Sequence, residues 1–67
     1  METNFNIGQT VIVNKKSYTI KQLEVTAEKY PNIKRNNPDI NFHVIIEGKK
    51  GALKAGFITI TGNIVLF

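Results

Sequence analysis

Apolar and polar residues alternate with a period of two along most of this chain, the signature of strands buried on one face. The first such stretch, Val11-Ile12-Val13, leads through Asn14-Lys15-Lys16-Ser17 into Tyr18-Thr19-Ile20. A hairpin loop centred on Lys15-Lys16 pairs Val13 with Tyr18 and Val11 with Ile20. All four then share one face, with Ile12 and Thr19 on the other. A second run, from Ile40 to Glu47, sets Ile40, Phe42, Val44 and Ile46 on one face and His43, Ile45 and Glu47 opposite. Gly48-Lys49-Lys50-Gly51 follows as a turn with a glycine at each end. Folding back about its centre pairs Ile46 with Leu53, Val44 with Ala55 and Phe42 with Phe57. That register predicts a core of Phe42, Val44, Ile46, Leu53 and Phe57, with Lys54 pointing outward.

After Gly56 the alternation changes phase, as at a bend or bulge. Gly62-Asn63 reads as a two-residue hairpin turn, which pairs Ile60 with Val65, Ile58 with Phe67, Thr59 with Leu66 and Thr61 with Ile64. Ile64 and Leu66 then point away from the core, and the last strand is apolar on both sides. Between Lys21 and Asp39 the signals compete. Leu23, Ala27 and Tyr30 have helical spacing, and Thr19 with Gln22 resembles a capping box. Against a helix, Glu24 and Glu28 would repel at i,i+4, and Val25 and Thr26 are β-branched. The balance predicts a long strand from Ser17 to about Thr26, kinked near Gln22. The alternative is an α+β fold with a short helix at about 20–30. Pro31 closes either element, and residues 27–39 become a long basic loop.

These elements predict a single all-β domain over residues 1–67. Five or six short antiparallel strands form a meander that closes into a small barrel, similar in layout to SH3-like and other small β-barrels. Sixty-seven residues close one core, and a domain this small is marginal unless a disulfide, a metal or self-association helps. The chain has no Cys and one His, which excludes disulfides and thiolate metal sites; no metal or cofactor is expected. Apolar runs such as Val44-Ile45-Ile46 are too short to cross a bilayer, so no membrane partner is expected. The first six residues lack a basic segment and an apolar one, and with the absent cysteines this places the expected location in the cytoplasm. Richness in Asn, Ile and Lys fits an AT-biased genome, a bacterium or a mobile element such as a phage.

Catalysis is not expected. Ser17 lies beside a turn and Asp39 follows Pro38 in the loop. His43 and Glu47 share a strand face, but four residues of strand separate them by roughly 13 Å, too far for an acid–base pair. His43 is expected to be an exposed surface residue. The net charge of +4 favours anionic partners. Lys15/Lys16 and Lys49/Lys50 cap two hairpins, while Lys29, Tyr30, Lys34 and Arg35 cluster on the long loop and combine phosphate contacts with a stacking ring. An up-and-down meander puts both Lys-Lys turns at one end of the barrel and the long loop at the other. Ile64 and Leu66, flanked by Ile45 and Thr59, form an apolar stripe on an edge strand, the kind of surface that meets another protein or a second copy. The resulting expectation is a non-catalytic module that binds protein through its C-terminal strand, as an accessory or inhibitory protein. A nucleic-acid-binding barrel is the alternative.

Overall fold

The computed structural model describes residues 5–66. Strands β1 (Thr10–Val13), β2 (Lys16–Val25), β3 (Ile40–Glu47), β4 (Leu53–Thr59) and β5 (Ile64–Leu66) follow one another, with helices α1 (Thr26–Lys29) and α2 (Pro31–Asn36) between β2 and β3. The strands form one antiparallel sheet in the order β1-β2-β3-β4-β5. This sheet is curled into a half-barrel of SH3-like layout. The all-β meander expected from the alternation is therefore the fold.

β2 is the long kinked strand. Its pairing with β3 steps from Ile20↔Ile46 to Gln22↔Ile45, so Lys21 is the extra residue of a bulge. The bulge moves the inward phase from Tyr18 and Ile20 onto Leu23, which pairs with Val44. A helix at 20–30 is thus corrected to strand as far as Val25, and the helical spacing is realised only from Thr26 onward. The connection read as a long loop is instead mostly helical. Pro31, read as a stop, occupies the first turn of α2, where its missing N–H has no partner to lose.

All three hairpin registers differ from the expected ones, and each difference traces to loop length. In the first hairpin, Val13 pairs with Lys16 and Val11 with Tyr18, around the two-residue loop Asn14-Lys15. Both loop residues have positive φ, 51° and 67°, as a type I′ turn demands. The slip is an even number of residues, so Val11, Val13, Tyr18 and Ile20 still share the buried face.

The other two loops hold three residues each. Gly48 N–H donates to the Ala52 carbonyl, enclosing Lys49-Lys50-Gly51, and Thr59 N–H donates to the Asn63 carbonyl, enclosing Ile60-Thr61-Gly62. Each ends in a glycine with φ near that of a left-handed residue, +80° at Gly51 and +89° at Gly62, the three-residue hairpin with a closing glycine. An odd slip turns a strand over. β4 therefore sends Ile58 inward, opposite Phe42, while Leu53, expected in the core, is 63% exposed. β5 likewise turns Ile64 and Leu66 inward and leaves Val65 exposed. The phase change near Gly56 needs no bulge in β4: Phe57 and Ile58 are both buried because the sheet is covered on both sides there. The extra residue is Asn41, in β3.

The core consists of Val11, Val13, Tyr18, Ile20, Val44, Ile46 and Ile58, with Phe5, Leu23, Phe42, Ile64 and Leu66 packed at its margin. A smaller cluster lies on the outer face, where Tyr30 and Phe57 meet His43 edge-on at ring distances of 4.9 and 5.4 Å.

Candidate functional site

The two lysine-tipped hairpins converge. The type I′ turn carries Lys15 and Lys16, and the β3–β4 loop carries Lys49 and Lys50. Pairing of β2 with β3 brings Thr19 beside Glu47, so the two tips lie side by side at one end of the sheet. Between them is a concavity of about 450 Å³, lined by Lys15, Lys16, Lys49, Lys50 and Lys54 together with Ser17, Tyr18, Gly48 and Ala52. Lys54 joins because the three-residue loop turns β4 over and pairs it with Ile46 rather than leaving it on the outer face.

Five of the nine basic residues of the chain thus surround one hollow, and among the described residues no acidic one lines it. None of the five makes a salt bridge among the described residues; the nearest carboxylate in the sequence, Glu47, faces Lys21 at 3.9 Å. Amines without counter-charges at this spacing produce a positive potential that a concave surface focuses outward. The floor is firm. Tyr18 is buried, and a Cβ at Gly48 would lie 3.4 Å from its ring, so the loop backbone rests against the tyrosine.

The loop cluster expected to share this role is engaged internally. Lys29 pairs with Glu24 at 3.5 Å. Lys34 donates to the Pro38 carbonyl at 2.6 Å and to Asn41 Oδ1 at 3.2 Å, which ties α2 to the start of β3. The Tyr30 ring is half-buried and packs edge-to-face with His43 at a ring distance of 4.9 Å, so it is anchored on the sheet rather than standing on a free loop. Arg35 is exposed. The structure thus separates the two basic groups and leaves most of the unpaired charge at the hairpin tips.

The apolar residues proposed for a protein partner are likewise redistributed. Ile64 and Leu66 pack on the core. Ile45 is half-buried on the outer face, and the Thr59 hydroxyl lies 2.9 Å from that of Thr61, within the β4–β5 turn. Phe67 falls outside the described residues.

His43 is the residue that sequence reasoning misplaced most. Expected at the surface, it is 8% exposed, held between Tyr30 and Phe57, with Nδ1 3.3 Å from Glu24 Oε1. The chain offered one signal for this, the apolar Phe57, which falls opposite His43 once the loop has three residues. Among the described residues, no three His, Asp or Glu side chains gather as metal ligands, and no helix is long and apolar enough to cross a membrane. No protein-family model, curated protein or solved structure matches the chain.

Proposed function

We propose that this domain is a non-catalytic nucleic-acid-binding module that grips the phosphate backbone with its lysine-tipped end. The observation that carries this reading is the set of five unpaired lysines around one hollow. Lysine ammonium groups on short turns act as point charges toward phosphates, and each contact releases condensed counterions. The described lining of the hollow has no Arg, Asn or Gln to read a base edge with a planar pair of hydrogen bonds, and its one aromatic ring is buried; binding is therefore expected to follow the backbone more than the sequence. The groups with catalytic potential stand apart: His43 is enclosed between aromatic rings, while Ser17 lies at the basic end.

Titration of labelled single- and double-stranded oligonucleotides of mixed sequence, at roughly 50 and 200 mM salt, tests the reading. Affinity should fall steeply over that range. Replacing Lys16, Lys49, Lys50 and Lys54 together by Ala should abolish binding, with the melting temperature retained because all four side chains are exposed. Absence of binding to both forms at the lower salt overturns the reading, as does unchanged binding by the fourfold variant.

A further inference from the structure

The half-barrel has an open seam. β1 and β5 are the two edges of the sheet, and they are not hydrogen-bonded to each other. Between them lies a cavity of about 540 Å³, bordered by Phe5, the run from Gln9 to Asn14, and Gly62 to Ile64. Five consecutive residues on one side, Thr10 to Asn14, mean that the wall is a strand edge.

The phase of that edge follows from the ladder. Ile20 N–H donates to the Gln9 carbonyl at 2.9 Å, so Gln9 faces β2. In an antiparallel ladder the bonded positions alternate, which turns Val11 and Val13 toward β2 and aims the N–H and C=O groups of Thr10 and Ile12 into the seam. No partner for those groups occurs among the described residues.

Nor is the edge protected. Thr10-Val11-Ile12-Val13 is β-branched throughout, with no proline and no charge. Among the described residues the cavity lining holds no charge either, although the chain beyond Asn14 runs straight into the lysine-rich tip.

We propose that this seam receives an extended segment of another protein, which adds alongside β1 as a sixth strand. An added strand would gain main-chain bonds from Thr10 and Ile12 and alternate its side chains across the sheet. One set would enter between Val11, Val13 and Ile64 at the core margin, and the other would lie beside the exposed Ile12. The segment it fits therefore carries medium-sized apolar residues at alternate positions and no charge within the paired stretch. A second copy of the chain fits less well, because its β1 is already bonded to its own β2 and would bring a whole sheet into a gap bordered on the far side by Gly62, Asn63 and Ile64.

A displayed library of random peptides of about eight residues, panned against the full chain, provides the probe. Enriched sequences should share alternating apolar positions, and a synthetic peptide from that set should slow hydrogen exchange at the Thr10 and Ile12 amides. Total synthesis of the chain with N-methyl Ile12 removes one edge donor without touching the β1–β2 ladder. It should weaken the peptide at least about tenfold while the melting temperature holds. Enrichment of no alternating set, or exchange at Thr10 and Ile12 unchanged by bound peptide, overturns the proposal even if N-methyl Ile12 fails to fold. Concentration-dependent dimerisation that N-methyl Ile12 abolishes assigns the seam to a second copy and also overturns it.

Discussion

The backbone of Val65 passes so close to Gly56 that a Cβ on the glycine would sit 2.5 Å from the Val65 carbonyl oxygen, and 3.2 Å from the Leu66 Cα. Backbone cannot swing aside as a flexible side chain would. Gly56→Ala must therefore push β5 off β4, loosening Ile64 and Leu66 from the core margin. A loss of about 1–3 kcal/mol is expected, a large share of the roughly 3–10 kcal/mol available to a chain of this length. Chemical denaturation measures it, and a variant as stable as the parent would show that β5 does not pack as described.

The registers of β3 and β4 make opposite demands on two residues of similar size. Ile58 is 1% exposed opposite Phe42, whereas Leu53 is 63% exposed opposite Glu47. Ile58→Ala should cost about 2–5 kcal/mol and Leu53→Ala less than about 0.5 kcal/mol. Equal losses would restore the register in which Leu53 faces the core.

Those two residues also mark how far the sequence could be read. Alternation identifies strands and their apolar faces, so the meander, the long kinked β2 and the burial of Val11, Val13, Tyr18, Ile20, Val44 and Ile46 were legible. Which face of β4 joins that core depends on the parity of one loop. Gly48-Lys49-Lys50-Gly51 supports a four-residue loop on composition alone, and it is Gly51 at φ +80° that makes the count three. Gly62 repeats the ambiguity at the next turn. The convergence of Lys15, Lys16, Lys49 and Lys50 followed from up-and-down topology, but Lys54 joined them only through that parity. The internal pairing of Lys29, Lys34 and Tyr30 depended on the short helices, whose existence rests on packing against His43 more than on local propensity.

Tyr30 links those helices to the sheet. Its ring meets His43 edge-on at 4.9 Å, and its N–H donates to the Thr26 carbonyl at 2.7 Å. Tyr30→Ala removes the ring and should cost about 1–3 kcal/mol. Hydrogen exchange should accelerate across α1 and α2 while the amides of Ile20 and Ile46 stay protected, since the core lies on the other side of the sheet. Uniform acceleration over the whole chain would mean instead that the helices and the core open as one unit.

Lys15 holds two properties that a single substitution separates. Its φ of 67° is a left-handed conformation that lysine adopts only at a cost, and it follows Asn14, which tolerates such geometry better. Glycine in its place completes the Asn-Gly pair favoured in type I′ turns, and the roughly 1–2 kcal/mol of left-handed strain it relieves exceeds the roughly 0.4–1 kcal/mol its added unfolded-state freedom costs, so Lys15→Gly should stabilise the domain by up to about 1 kcal/mol. The same change deletes one ammonium group from the basic hollow. If the lysine-tipped end contacts phosphates, the logarithmic salt dependence of oligonucleotide binding should shrink by about 0.7–0.9 in this more stable protein. Lys16→Ala, at a strand position with ordinary φ, should give the same change in slope with stability altered by less than about 0.5 kcal/mol. A stabilised Lys15→Gly protein that binds with the parent's full slope would separate the turn from the interface. Weakened binding in Arg35→Ala alone would then move the contact to the helical connection at the far end of the sheet.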